Sequence, residues 1–178
     1  MGRIATSPYK LLPASSRQRG LAAIGLELSS PVDVIPIDAG STVVRCVESG
    51  VGELSVELFK AALIIDRDGI LAEKVVTACA HEPGRATPPI AVTLPGASGF
   101  RASIELDHKA PLRFVYVFAI APHDLGVDGG ALVTVRSASR EWPTANEILK
   151  SLRVFGRRAA TANDGPVLSL VPIVGSDE

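Results

Sequence analysis

Residues 112–121 read Leu-Arg-Phe-Val-Tyr-Val-Phe-Ala-Ile-Ala, and residues 131–136 read Ala-Leu-Val-Thr-Val-Arg. Both runs are rich in β-branched and aromatic side chains, and the segment between them contains Pro122 and the pair Gly129-Gly130. Apolar runs of this length that are bounded by proline and glycine are typical of buried strands. The sequence therefore predicts two strands joined by a turn.

Weaker strand patterns occur on both sides of this pair. Residues 70–80 are ambiguous, because Leu71-Ala-Glu-Lys74 favours a helix whereas the β-branched run Val75-Val76-Thr77 favours a strand. The pattern predicts an all-β fold, a single antiparallel β-sandwich of the jelly-roll type with eight to nine strands, at a spacing of about ten residues per strand and turn. An immunoglobulin-like sandwich is the alternative. The further predicted strands are 32–37, 42–48, 54–58 continuing to 65, 90–94, 100–106 and 167–174.

One helix is predicted towards the end of the chain. Thr144 and Glu147 have the spacing of a capping box, in which each side chain accepts a backbone N–H of the first turn. Pro143 precedes this box, and Gly156 is a suitable stop signal. These signals predict a helix over residues 144–155.

The 178 residues are expected to form one domain with two appended segments. Residues 1–30 carry chain breakers and basic side chains, and we expect a flexible basic N-terminal arm. Residues 31–142 are predicted to form the jelly-roll sandwich. Residues 143–178 are predicted to form a C-terminal helix, a linker and a strand-like arm.

The amino-acid composition limits the classes of protein to which this chain can belong. A hydrophobic content of 47% indicates a globular chain, and a net charge of −1 excludes a chain that is basic throughout. No apolar run has the length of a membrane span, and the first residues lack the pattern of a secretion signal. Cys46 and Cys79 are expected to be free and buried, as in a reducing compartment. We therefore expect a cytoplasmic protein without a membrane partner.

Motifs for catalysis are missing from the sequence. It has neither a P-loop nor a nucleophile elbow, and His81, His108 and His123 stand apart in three predicted loops. We expect no catalytic residue, no metal and no cofactor, and hence a structural or binding protein. A small enzyme that uses one of these histidines is a hypothesis of another class.

The order of a basic arm followed by a sandwich resembles the small coat proteins of plant positive-strand RNA viruses. The stretch from Leu112 through Gly129-Gly130 to Trp142-Pro143 is similar to the last two strands of bromovirus-like coats, where the second strand leads to a proline. The resemblance implies a structural capsid protein of the virion and the host cytoplasm. Such a protein self-assembles into a closed homo-oligomeric shell and packages RNA through non-specific phosphate contacts.

The same resemblance implies which residues bind RNA. They are basic and lie near the two ends of the chain. The set is Arg3, Lys10, Arg17, Arg19, Arg153, Arg157 and Arg158. Segment 167–174 is expected to pair as a strand, either within its own chain or with a neighbouring subunit by addition to an exposed sheet edge.

The alternative function is a cytoplasmic β-sandwich binding module, similar to tellurite-resistance proteins that bind Ca²⁺ through acidic loops. Carboxylates in turns supply the oxygen ligands that Ca²⁺ prefers. Here the ligands would be Asp66, Asp68, Asp124 and Asp128. This alternative predicts a monomer whose stability depends on the metal.

Overall fold

The computed structural model describes residues 7–12, 23–32, 34–39, 42–123, 129–157 and 169–172. This part of the chain is mostly antiparallel β-sheet with two helices, which confirms the prediction of a β-rich fold. The strands are β1 (Ser7–Leu12), β2 (Ala23–Ser30), β3 (Val34–Ala39), β4 (Thr42–Glu48), β5 (Gly52–Lys60), β6 (Ile90–Leu94), β7 (Ala97–Glu105), β8 (Phe114–Pro122), β9 (Gly129–Ser137), β10 (Arg153–Arg157) and β11 (Ser169–Pro172). The helices are α1 (Arg67–Ala80) and α2 (Pro143–Ser151).

The strands form two sheets. A four-stranded sheet has the order β10-β2-β1-β11, and a seven-stranded sheet has the order β3-β4-β5-β9-β8-β7-β6. Strands β8 and β9 pair antiparallel, with Phe114 opposite Ser137, which confirms the predicted pair of strands. The finer prediction of a jelly roll is not confirmed. In the seven-stranded sheet most neighbouring strands are also neighbours along the chain.

The seven-stranded sheet has a hydrophobic core on each face. We call the face that carries the four-stranded sheet and α2 the sealed face, and the face that carries α1 the open face. The core of the sealed face consists of Leu28, Val44, Cys46, Leu54, Val56, Ala97, Phe118, Ile120, Ala131, Val133, Val135, Trp142, Ala145, Ile148, Leu152 and Val154. The core of the open face consists of Leu63, Leu71, Val75, Cys79, Ala102, Ile104, Val115, Val117, Ala119 and Ala121.

Strand β8 shows why the central run is apolar at almost every position. Val115, Val117 and Ala119 pack beneath α1, whereas Phe118 and Ile120 belong to the core of the sealed face. A strand covered on both faces has no solvent side, so it loses the alternation of apolar and polar residues.

Residues 70–80, which were ambiguous between helix and strand in the sequence, belong to helix α1. Leu71, Val75 and Cys79 are its buried residues, and their spacing of four places them on one helix face. Asp66 is the N-cap and accepts a hydrogen bond from the Gly69 N–H at 3.0 Å. The β-branched residues that favoured a strand are therefore overridden by packing of this face against β7 and β8.

Helix α2 begins and ends earlier than predicted. Trp142 is its N-cap residue and makes no side-chain capping bond, so the predicted capping box is not formed. Thr144 instead donates its hydroxyl hydrogen to Glu48 at 2.7 Å. After α2 the chain enters β10, where buried Leu152 and Val154 flank exposed Arg153. That alternation is a strand period and not a helix period.

Within residues 1–30, where a flexible basic arm was expected, the structure describes the two strands β1 and β2. In β2 the sequence alternates, with Ile24, Leu26 and Leu28 separated by Gly25 and Glu27. An alternation of this kind indicates a strand with one buried face. Within the described part of the segment Leu28 is buried, in contact with the core of the sealed face.

Both cysteines are free and buried, as the sequence predicted. Cys46 belongs to the core of the sealed face and Cys79 to that of the open face. Burial raises the pKa of the Cys46 thiol to about 11. It also raises the pKa of Cys79, with a further contribution from the charge of Glu82.

Candidate functional site

The width of a helix explains why the open face is not closed. A helix with its side chains is about 10 Å wide, whereas neighbouring strands lie about 4.8 Å apart. Helix α1 therefore covers about two strands, and it packs on β7 and β8. Strands β9 and β5 come next in the sheet, so their outward side chains form a floor beside the helix.

The space between this floor and α1 is a cleft of about 890 Å³. Ligand sites in proteins commonly enclose about 300–1,000 Å³ and combine an apolar lining with a few polar groups. This cleft has both kinds of lining. Its lining residues are Glu57, Leu58, Phe59, Ala61, Ile70, Glu73, Lys74, Thr77, Ala78, His81, Leu132 and Thr134.

Phe59 and Lys74 meet inside the cleft. The Lys74 ammonium nitrogen lies over the Phe59 ring, 5.1 Å from the ring centre. A cation over an aromatic face is held by the ring quadrupole, in an interaction of about 0.5–1 kcal/mol at an exposed site. The flexible lysine stem can thus leave the ring at small cost, and the ring face then becomes available to another group.

Ionic groups close the end of the cleft near the C-terminus of α1. Arg136 lies on β9, two residues beyond Thr134, and binds the Glu82 carboxylate with two guanidinium nitrogens. This hydrogen bonding raises the pKa of Arg136, with smaller effects from the charges of Glu82 and Glu53. Arg45 in turn pairs with Glu53. The network joins the segment that follows α1 to strands β9, β5 and β4.

Comparison with known proteins gives no family for this chain. No protein-family model, curated protein or solved structure matches it. A smaller cavity of about 270 Å³ lies beside α2 on the sealed face, where Arg101, Tyr116 and Leu149 are among its lining residues.

The three histidines are not brought together. His81 lies at the end of α1, whereas His123 follows β8 near the start of the helix, where Arg67 binds the Ala121 carbonyl at 2.8 Å. The 14 residues of α1 separate these two positions by about 21 Å. His108 pairs with Asp107 in the loop between β7 and β8. Only His81 lines the cleft.

The predicted Ca²⁺ ligands have other partners where the structure describes them. Asp66 caps α1, and Asp68 lies 3.6 Å from Arg67 in the first helical turn. Asp124 and Asp128 lie outside the described residues. In the part of the chain that the structure describes, no group of three or more histidine, cysteine or acidic residues is placed to hold a metal ion.

The predicted RNA-binding residues fall partly on the four-stranded sheet. Arg3, Arg17, Arg19 and Arg158 lie outside the described residues, whereas Lys10 is on β1 and Arg153 and Arg157 are on β10. Lys10 and Arg153 are both in register with Glu27 of β2, so an acidic position lies between two basic ones. No helix in the described ranges is long and apolar enough to cross a membrane.

Apart from His81, the residues of the cleft were not predicted, although the sequence carries a signal for the floor. Strand β5 alternates, so that Glu57 and Phe59 lie on the face opposite Leu54 and Val56. A phenylalanine at the polar position of an alternating strand is unusual for a solvated face. The helix wall was hidden because the segment around residue 74 was ambiguous between helix and strand.

Proposed function

We propose that this protein is a binding module whose cleft between α1 and the β5–β9 pair takes a small amphipathic molecule. The observation that carries this proposal is the combination of volume and lining in one space of about 890 Å³. A flat apolar part of the ligand fits against Phe59, Leu132 and Ile70. A polar part fits at the rim, near Lys74 and Glu73.

Lys74 acts as the group that the ligand displaces. In the structure it covers the Phe59 ring, and both residues line the cleft. An aromatic or aliphatic group that stacks on Phe59 moves the ammonium group towards the rim, where it meets an acidic part of the ligand. The cost of this exchange is small, because a single exposed cation–π contact is weak.

The test uses the amphipathic dye 8-anilinonaphthalene-1-sulfonate as the probe, with binding followed by dye fluorescence. Thr77→Trp places a large ring in the cleft, whereas Val76→Trp places the same ring on an exposed helix position that does not line it. We expect Thr77→Trp to weaken dye binding at least tenfold and Val76→Trp to leave it unchanged. Circular dichroism confirms that both variants remain folded.

Two results would contradict the proposal. One is the absence of saturable dye binding to the folded protein. The other is equal binding by the two tryptophan variants, which would assign the dye to another surface. Lys74→Ala gives a further check, since loss of the ammonium group is expected to weaken binding of the sulfonate without unfolding the protein.

The coat-protein function, with its jelly-roll sandwich, shell assembly and RNA packaging, stays a prediction. Its basic residues lie largely outside the described chain, and Glu27 interrupts the row formed by Lys10 and Arg153. Strand β11 pairs with β1 of its own chain, with Leu170 opposite Leu11, so these residues are not the free strand expected for a neighbour. Electron microscopy of the purified protein, with nuclease protection of any bound RNA, tests this function directly.

A further inference from the structure

The two outer strands of the seven-stranded sheet differ in how well they are protected against pairing with a strand of another chain. Strand β3 contains Pro36, and its pairing with β4 shifts register between Pro36 and Ala39. Proline and bulges prevent an edge strand from pairing with another chain. Strand β6, with the sequence Ile-Ala-Val-Thr-Leu, has neither, and among the described strands it has a neighbour on one side only.

The backbone geometry shows which groups of β6 point away from the sheet. The two-residue turn Pro95-Gly96, with Gly96 at a φ of 70°, joins the paired residues Leu94 and Ala97. The two residues that flank such a turn exchange backbone N–H···O=C bonds with each other. Along the strand, the backbone N–H and C=O groups then point alternately towards the partner strand and away from it. Ile90, Val92 and Leu94 therefore bond towards β7, whereas Ala91 and Thr93 direct their N–H and C=O groups outward.

An independent contact supports this assignment. The Ser103 N–H donates to the Thr87 hydroxyl at 3.0 Å, and the Thr87 N–H donates to the Ser103 carbonyl at 2.9 Å. The odd-numbered residues of β7 thus bond on the side of β6. They include Gly99 and Arg101, which lie opposite Val92 and Ile90.

The side chains of β6 form one apolar row and one row of small residues. Val92 and Leu94 pack partly against the core of the sealed face, and Ile90 is 51% exposed. Ala91 and Thr93 are exposed on the other side. Read in either direction the strand has a large apolar residue at each end, valine in the middle and small residues between.

We propose that β6 pairs antiparallel with β6 of a second copy of this chain, about a two-fold axis that passes at Val92. In this register Val92 faces its own counterpart, Ile90 faces Leu94, and Ala91 faces Thr93. The two Ala91–Thr93 pairs exchange four backbone hydrogen bonds, and the apolar rows join on one face. No charged residue occurs from Ala86 to Phe100, so the approach brings no like charges together.

The neighbouring prolines limit the interface to this strand. Pro89 precedes β6 and Pro95 follows it, and proline has no N–H to extend the ladder. In the proposed register the two prolines of one copy lie opposite those of the other. This pairing does not involve the cleft, and it stands or fails separately from ligand binding.

Charge-swap variants test the pairing at the exposed positions. Ala91→Lys with Thr93→Lys places lysines opposite lysines in the dimer, and Ala91→Glu with Thr93→Glu places glutamates opposite glutamates. In sedimentation equilibrium we expect the unchanged protein to dimerise and each double variant to dimerise at least about tenfold more weakly. A mixture of the two variants is expected to form a heterodimer. Val76→Lys with Ala80→Lys, at two exposed positions of α1 that do not line the cleft, is the matched control and leaves the dimer intact.

A cysteine pair tests the register. Val92→Cys brings two thiols together at a non-hydrogen-bonded pair, where Cα atoms lie about 4.5 Å apart and a disulfide is allowed. Ile90→Cys places the thiols about 13 Å apart along the strands and is expected not to cross-link. The natural cysteines are buried and do not interfere.

Three outcomes would overturn the proposal. The first is a chain that stays monomeric at the highest soluble concentration. The second is a dimer that survives both charge variants, and the third is cross-linking of Ile90→Cys in preference to Val92→Cys. A monomer whose β6 amide signals shift only on addition of an extended apolar peptide would assign the edge to a foreign strand instead.

Discussion

The sealed face and the open face of the large sheet are made by the same strands, yet the cleft of about 890 Å³ lies on the open face and a smaller cavity of about 270 Å³ on the sealed face. On β5, Leu54 and Val56 are completely buried on the sealed face, whereas Glu57 and Phe59 are half-buried on the open face. The sealed face is covered by a sheet and a helix, and the open face by one helix alone. Incomplete cover of the open face thus leaves a cleft beside its helix.

The largest expected effect comes from removing a side chain of the sealed face. Leu54→Ala leaves a cavity beneath fully packed neighbours, and we expect a loss of about 2–5 kcal/mol in the free energy of unfolding. Urea denaturation followed by the emission of Trp142 measures this loss. Phe59→Ala, on the same strand, is the matched control. Its half-buried side chain borders the cleft, so a loss as large as that of Leu54→Ala would contradict the difference between the faces.

A glycine on β7 gives the next effect. A Cβ atom at Gly99 would meet the backbone carbonyl oxygen of Ala119 on β8, and a backbone atom cannot turn away as a side chain does. Overpacking of this kind typically costs about 1–3 kcal/mol, so we expect Gly99→Ala to lower the urea midpoint by a corresponding amount. Ser98→Ala on the opposite face of the same strand is the control and should change little. Equal midpoints for Gly99→Ala and the unchanged protein would show that the strands separate readily.

The ion pair that closes the cleft has a smaller effect on stability. Arg136→Gln removes the two-nitrogen contact with Glu82, and we expect a loss of about 1 kcal/mol because both side chains are only partly exposed. A double-mutant cycle with Glu82→Gln measures the coupling between the two residues by urea denaturation. The coupling should fall at high salt. Strictly additive losses would mean that the pair does not hold α1 at the edge of the cleft.

The smallest effect is the pH dependence of stability that arises from Glu48, which is bonded to Trp142 and Thr144 on the sealed face. Hydrogen bonds from the Trp142 indole and the Thr144 hydroxyl, both at 2.7 Å, lower the pKa of Glu48. The charged Glu48 carboxylate therefore stabilises the fold fully at pH values above its unfolded pKa of about 4.3. This stabilisation is lost as the pH falls through the lower pKa that Glu48 has in the folded protein. The stability difference between the protein and Glu48→Gln should shrink in acid, as unfolding curves at several pH values will show. A difference that does not change with pH would mean that the charge of Glu48 contributes nothing.

Strands could be predicted where burial determines which residue types occur along them. The run of β8 is apolar because both of its faces are covered, and the alternation of β7 places Ala102 and Ile104 in the core and Arg101 outside. These are direct effects of local environment on residue choice. The same reasoning explains why both cysteines were expected to be buried.

Elements whose local signals conflict with their distant contacts were harder to predict. Val75 and Val76 favour a strand, and only packing against β7 and β8 makes the segment helical. Thr144 was predicted to cap α2 but bonds Glu48, a residue 96 positions away in the chain. Contacts between distant segments decide such cases, and a single sequence does not show them.

The positions of the two cysteines have a consequence for measuring motion. Cys46 lies under the cover of the sealed face and Cys79 on the buried side of α1, so each thiol reacts with a reagent only when its own layer opens. The two labelling rates therefore report local unfolding of the two layers separately, in the unmodified protein. A molecule bound in the cleft would contact α1 and slow the labelling of Cys79 more than that of Cys46.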